Sequence, residues 1–185
     1  PLMRGDSCQF GSVVSISDSI AIISAQNFDY LYYLPYAPTK QYGEVCIFKL
    51  GSNGLWEENQ RVYAPDSVLA DHFGVSIDID GNSVVIGSLG IYLDTLDKPS
   101  TGSMSYQGAP FVGAAYVYEI TDDKEIVNPQ KLVAFDRGEM DRFGSSVSVD
   151  SNLIVVGAWA DRDGLLPSDP PDCCAGSVYV FAYDA

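Results

Sequence analysis

Four aspartates in one stretch, Asp161, Asp163, Asp169 and Asp172, are the densest set of potential ligands in the chain. Oxygen-rich loops of this kind suit Ca2+, a hard cation that collects carboxylate and carbonyl oxygens. The run Asp161-Arg-Asp-Gly supplies only part of an Asp-x-Asp-x-Asp-Gly cage, so Asp161 and Asp163 are the candidate metal residues and calcium is the one cofactor considered. Asp161 and Asp163, with Asp29, are also the loop acids that a polysaccharide- or ester-cleaving site would need as a carboxylate pair. His72 is the single histidine, so no histidine-based metal cluster or relay is assembled. It stands just before Phe73, where related stretches carry Gln9 and Arg142, and reads as a solvated loop residue.

Four cysteines, Cys8, Cys46, Cys173 and Cys174, permit disulfides in an oxidising compartment. Cys8, Cys173 and Cys174 are the bridge candidates, with the pairing open, including a strained vicinal Cys173–Cys174 ring. Cys46 lies in an apolar strand pattern and reads as a buried free thiol. No Cys-x-x-Cys spacing supports zinc. The segment 27–42 carries Tyr30, Tyr32, Tyr33 and Tyr36, together with Phe28 and Tyr42. Tyrosine offers broad contact area at low rotamer cost plus a hydroxyl, which suits a protein or sugar contact surface; packing onto a neighbouring element is the structural alternative.

Composition narrows the classes that can hold these residues. Of 185 residues, 25 are Asp or Glu and 10 are Lys or Arg, giving a net charge of −15. That balance argues against nucleic acid, whose phosphates require clustered cations, and against anionic lipid. No apolar run reaches the length of a membrane span, so no membrane insertion is expected. The chain starts Pro1-Leu2-Met3-Arg4, without an initiator methionine or an apolar leader, and reads as part of something longer. Twelve tyrosines, 8 phenylalanines and 17 glycines lean towards strands and turns, and no amphipathic helix is evident.

The elements that position the candidates are repeated. Phe10-Gly11, Phe73-Gly74 and Phe143-Gly144 open three similar stretches, 63 and 70 residues apart. Each runs through a period-two strand to a short polar turn, Asp18-Ser19, Gly81-Asn82 or Ser151-Asn152, and then to an apolar run. A third strand begins at Gly43, Gly113 and Gly176. Its large residues Cys46, Phe48, Tyr116, Tyr118, Tyr179 and Phe181 share one face; its small residues Val45, Ile47, Ala115, Val117, Val178 and Val180 share the other. A fourth strand is placed at 60–64 and 130–134. The second strand is apolar on both faces, so a neighbouring sheet must cover each side. Radially packed four-stranded antiparallel sheets are propeller blades, whereas a stacked solenoid uses shorter repeats. The expected fold is all-β, one β-propeller segment over 1–185. It comprises about three four-stranded blades at 1–66, 67–136 and 137–185, the last without its outer strand. Three blades do not close a ring.

The Phe-Gly strand, the second strand ending Ile154-Val-Val-Gly-Ala-Trp, and the Gly-x-x-Tyr-Val-Phe third strand resemble FG-GAP repeats, as in the propeller of integrin α chains and of many secreted microbial surface proteins. Trp159 stands where those repeats have Pro. The resemblance implies a non-catalytic module, extracellular or at the cell surface, working in adhesion or in surface and matrix assembly. In calcium-binding relatives the acidic loop joins strands one and two; here those turns are short, with only Asp78, Asp80 and Gly81 in the second copy, so that site is largely missing. Arg4-Gly5-Asp6 spells an integrin-ligand tripeptide, but Arg4-Gly5 aligns with Arg137-Gly138 as ordinary repeat positions.

In an antiparallel meander the variable 2–3 connections all project from one end, and a protein or carbohydrate partner is expected there. The open ends call for further propeller blades or another chain. Two alternatives remain: a structural repeat in an extracellular filament or cell-wall layer, and a propeller-fold hydrolase.

Overall fold

The computed structural model describes residues 9–26, 43–66, 72–90, 111–138, 140–162 and 175–182. Strands β1 (Phe10–Ser17), β2 (Ile20–Ala25), β3 (Glu44–Leu50) and β4 (Trp56–Val62) form the first sheet, each paired with its sequence neighbour. The second sheet repeats this with β5 (Ser76–Asp80), β6 (Ser83–Ser88), β7 (Ala114–Ile120) and β8 (Ile126–Leu132). The third contains β9 (Phe143–Asp150), β10 (Leu153–Ala158) and β11 (Ser177–Ala182). All strand pairings within the three sheets are antiparallel, an isolated parallel bridge joins Gly113 to Phe143 between sheets, and no helix occurs among the described residues. These sheets are the blades of an incomplete β-propeller.

Local chemistry sets the strand ends. The 1–2 turns place Asp18, Gly81 and Ser151 at positive φ (48°, 54° and 56°), as tight hairpins between twisted strands require. Each Phe-Gly pair forms the centre of a turn. The backbone N–H groups of Ser12, Val75 and Ser145 donate to the carbonyls of Gln9, His72 and Arg142 at 3.1–3.2 Å. Gly11, Gly74 and Gly144 sit at φ 85–89°, the third position of a type II turn, where a Cβ would be strained.

The outer strands begin four residues earlier than expected, at Trp56 and Ile126 instead of Gln60 and Gln130, and end at Val62 and Leu132. Their added residues include the exposed Trp56, Glu57 and Glu58 and, after the buried Ile126, the exposed Asn128 and Pro129, so they lack the apolar alternation that marks a half-buried strand. Pro129 within β8 is tolerated because that strand is an edge.

The core lies between sheets. Ile20, Ile22, Val45 and Ile47 of the first sheet pack on Phe73, Ile77, Ile79, Val84, Ile86, Tyr116 and Tyr118 of the second. Val85, Ala115 and Val117, on the other side of the second sheet, meet Phe143, Val149, Ile154, Val156 and Tyr179 of the third. The small face of one sheet therefore receives the large face of the next. β6 is buried at every residue, as its apolar character on both faces demands.

At the loop end the two backbones nearly touch. A Cβ on Gly43 would lie 2.0 Å from the Phe73 carbonyl oxygen, and one on Gly113 would lie 1.9 Å from that of Phe143. The Phe143 N–H donates to Val112 O at 3.0 Å across the same junction.

The packing sets the cost of three substitutions. Gly43→Ala forces backbone against backbone and is expected to cost about 3 kcal/mol in urea unfolding. Gly54→Ala, at φ 76° with open space around it, should cost only about 1 kcal/mol. Conversely, the Tyr118 hydroxyl is buried with no hydrogen-bond partner among the described residues. Tyr118→Phe deletes that orphan and should raise stability by about 1 kcal/mol in the same titration.

Candidate binding site on the loop face

The 2–3 and 4–1 connections share one end of the sheets, opposite the hairpin turns. The residue preceding each Phe-Gly is held there at positive φ: Gln9 at 41°, His72 at 49° and Arg142 at 59°. Arg142 is anchored through its N–H to Phe111 O at 2.9 Å, which brings the head of β7 beside the head of β9. The Ala160 N–H donates to Asp141 O at 3.3 Å and draws in the end of β10.

These bonds bring four side chains together. The Arg142 guanidinium lies over the Trp159 ring, 4.6 Å from its centroid, and over the Phe111 ring, 5.7 Å from its centroid. The His72 ring follows, 6.2 Å from Phe111. Trp159 remains 56% exposed. Each cation–π contact contributes about 0.5–1 kcal/mol at an exposed site and holds the ring in place. The result is a pre-ordered aromatic platform with a cation behind it, built from the second and third sheets.

His72 departs from the solvated loop residue expected of it. It is half-buried, and burial, followed by the Arg142 charge, pushes its pKa below 6.5. The reason is its place at the head of β5, where the positive φ turns the ring onto Phe111.

A second set of contacts braces the same end. The Tyr116 hydroxyl donates to Asp66, which also takes the Lys131 ammonium. Burial opposes the Asp66 charge, but Lys131 and Tyr116 outweigh it and hold the carboxyl below its usual value. One repeat later the Tyr179 hydroxyl stands 2.8 Å from Asp136 and 2.9 Å from Asp161, so two carboxylates share one hydroxyl proton. Burial, then these two acids, push the Tyr179 phenol up. Asp66 and Asp136 follow the outer strand of one sheet, and Tyr116 and Tyr179 belong to the third strand of the next, so each pair fastens adjacent sheets.

Asp161 is fully buried in this network. Its proposed co-ligand Asp163, the acid Asp29, the loop residues Tyr30, Tyr32, Tyr33 and Tyr36, the bridge candidates Cys8, Cys173 and Cys174, and Arg4-Gly5-Asp6 lie outside the described residues. Asp78 and Asp80 accept hydrogen bonds from the neighbouring sheet: Asp78 from Ser148 Oγ and Val149 N at 2.9 Å, Asp80 from Ser151 N at 2.7 Å. Among the described residues no group of three or more acids, cysteines or histidines is arranged to hold a metal ion. Cys46 is buried with a free thiol. Burial and then Glu44 push that thiol up to about 12.

Sequence reasoning passed over Arg142 and Phe111. The available signal was the substitution of Trp159 in the Gly-Ala-Trp run together with the changing residue before each Phe-Gly. Neither shows which side chains meet until the turn geometry is known.

The single histidine makes the electrostatics measurable. His72 is expected to titrate below 6.5 by NMR, and Arg142→Gln should move it part of the way back up. Because the depressed pKa favours neutral imidazole in the fold, stability from this group is complete above 6.5 and declines as pH falls below it. A midpoint at or above 6.5 would contradict the packing described.

A family profile described as FG-GAP repeat matches residues 56–118 and 127–181. Each match starts in the outer strand of one sheet and ends in the third strand of the next, so it spans the junction where the Phe-Gly turn is seated. A search of curated proteins finds no match. With these matches covering more than half of its length, the chain belongs to the FG-GAP repeat family.

Proposed function

We propose that this segment is a non-catalytic, extracellular binding module that presents its 2–3 loop end to a protein or carbohydrate partner. The observation that carries this reading is the exposed Trp159, stacked on Arg142 and backed by Phe111, at the end from which the variable loops project. A rigid tryptophan over an arginine offers contact area with little left to order on binding, the property of residues that dominate recognition surfaces. Tyr30, Tyr32, Tyr33 and Tyr36 fall in the first repeat's 2–3 connection by sequence and are assigned to the same surface. The buried Asp161, engaged by Tyr179, supports a bracing role for that acid in preference to proton transfer to a substrate. The family's occurrence in surface proteins supports an extracellular setting, where Cys8, Cys173 and Cys174 can pair. Calcium held by Asp161 and Asp163 belongs to the same reading only as an accessory to the loop.

The test is retention of the labelled chain on a panel of immobilised extracellular matrix proteins and polysaccharides. Trp159→Ala, and separately the combined Tyr30, Tyr32, Tyr33 and Tyr36 to Ala variant, should each weaken retention by about tenfold or more. Retention unchanged in both variants overturns the site. Hydrolysis of a polysaccharide on the panel, lost in Asp163→Ala, overturns the non-catalytic assignment.

A further inference from the structure

The turn joining β3 to β4 contains the chain's one Asn-Gly pair, Asn53-Gly54. An asparagine can react with its own backbone when the next peptide nitrogen reaches its side-chain amide, and a following glycine, with no Cβ, leaves that approach open. Residues 52–55 are exposed, and a Cβ on Gly54 would have nothing within 4 Å. Two backbone bonds close the turn, from the Gly51 N–H to Leu55 O at 2.8 Å and from the Gly54 N–H to Gly51 O at 2.9 Å. The Asn53 side chain folds back over the chain that follows. Its Oδ1 accepts the Leu55 N–H at 2.9 Å, closing a ring around the Gly54 peptide, and its Nδ2 donates to Glu57 Oε1 at 3.4 Å.

The second repeat shows what a preceding sheet does to this turn. The Thr121 N–H donates to Glu125 O and the Lys124 N–H to Thr121 O, both at 2.9 Å, so Asp123-Lys124 is the counterpart of Asn53-Gly54. Lys124 stands at φ 63° where Gly54 stands at 76°. The preceding sheet reaches that turn through the Asn59 amide, which donates to the Asp123 and Lys124 carbonyls. Asp123 remains exposed all the same. A sheet seated in this way engages backbone oxygens and leaves the side chain at the asparagine position open, so the argument does not depend on what precedes residue 1.

The other described asparagines lack this setting. Asn59 spends its amide on the two carbonyls just named, and Asn128 precedes Pro129, whose nitrogen carries no hydrogen. Asn82 and Asn152 sit in two-residue hairpins before Ser83 and Leu153, whose β-carbons crowd the approach. Asp80-Gly81, the nearest acidic analogue, is held across the junction by the Ser151 N–H at 2.7 Å.

We infer that Asn53 is a site of spontaneous deamidation, at which the folded chain converts a neutral amide into a carboxylate. Once the Gly54–Gly51 bond opens, the Gly54 N–H gives its proton to a solvent base and the nitrogen bonds to Asn53 Cγ. Negative charge develops on Oδ1, where the Leu55 N–H already donates. The Cγ–Nδ2 bond breaks, and Nδ2 takes up a proton and leaves as ammonia. Water then opens the cyclic imide. Cleavage between the Gly54 nitrogen and Cγ gives aspartate at position 53. Cleavage between that nitrogen and the backbone carbonyl carbon gives isoaspartate, with the side-chain carbons inserted into the main chain. One water enters, one ammonia departs, and nothing is oxidised or reduced. The aspartate product matches Asp123 of the second repeat, so the turn accommodates it, whereas isoaspartate lengthens a ring closed by two hydrogen bonds. Either product adds one negative charge to a chain of −15, at the end opposite the loop face and without using any loop-face residue.

The test is incubation of the folded 185-residue chain in mildly alkaline buffer, followed by tryptic mass mapping and native charge separation. The peptide between Lys49 and Arg61 should gain one mass unit, with fragmentation placing the change at Asn53 and not at Asn59, while the peptides carrying Asn82 and Asn152 stay unchanged. Labelling by an isoaspartate methyltransferase should appear on the same peptide. Gly54→Lys installs the second repeat's residue, and circular dichroism should show its strands intact; it should block the change over the time in which half of the wild-type chain reacts. Asn53→Asp should migrate with the aspartate product from the outset. An amide at position 53 that survives in the folded chain while the urea-unfolded chain reacts overturns the inference. Earlier reaction at Asn82 or Asn152, or an unchanged rate in Gly54→Lys, overturns it equally.

Discussion

Everything in this molecule depends on how closely one sheet's backbone can approach the next. At the loop end, the Phe73 and Phe143 backbones sit where the side chains of residues 43 and 113 would be, and only glycine leaves that room. Once the backbones meet, the Phe rings enter the space between sheets and pack edge-on against a third-strand tyrosine, Phe73 on Tyr116 and Phe143 on Tyr179, at 5.6 and 5.2 Å. The same turn that seats the ring forces the residue before it to positive φ, at the top of the sheet. Arg142 and His72 thus owe their positions on the loop face to a packing requirement, and the platform under Trp159 is a consequence of it.

The acidic composition belongs partly to the same scheme. Carboxylates at Asp66, Asp78, Asp80 and Asp136 each accept a hydrogen bond from a neighbouring sheet. A carboxylate is acceptor-only and charged, so its bonds to N–H and O–H groups are stronger than neutral ones and suit a junction between strands whose own ladders are already complete. The aspartates that would otherwise be read as calcium ligands in the second repeat are occupied in this way. Acidity in this chain is therefore structural before it is a feature of any ligand site.

The fold was legible because its information is local and repeated. Period-two alternation from Phe73 and Phe143, the two-residue turns, and the large and small faces of the third strand each state a burial requirement, and the sheets meet it where they were expected. The outer strands begin earlier than expected because Trp56–Val62 and Ile126–Leu132 are edge strands with mostly exposed or half-buried polar residues, and alternation carries little signal where so few positions are buried. The candidate site was much less legible. Arg142, Phe111 and Trp159 are separated by 17 to 48 residues, and their convergence depends on backbone hydrogen bonds that no residue pattern announces. His72 was misplaced for the same reason: the identity of its neighbours across the repeats suggested solvent, while the turn directs its ring onto Phe111.

The two junctions within the chain and the free face of the first sheet are alike in their apolar content but not in their polar fastening. Tyr116 with Asp66, and Tyr179 with Asp136, fasten the two junctions formed within the chain. In the first repeat the tyrosine position is Cys46, and the alignment of Arg4-Gly5 with Arg137-Gly138 puts Met3 at the aspartate position, so donor and acceptor are both replaced. The Cys46 thiol turns to Glu44 of its own strand instead, and Glu44 also takes the Tyr63 hydroxyl and the Arg61 guanidinium. A junction made by the free face of the first sheet thus relies on apolar contact and backbone fit without a tyrosine–carboxylate bond. Such a bond is worth about 1.5–3 kcal/mol when one partner is charged. Whatever covers that face gains less from polar fastening than the two junctions formed within the chain.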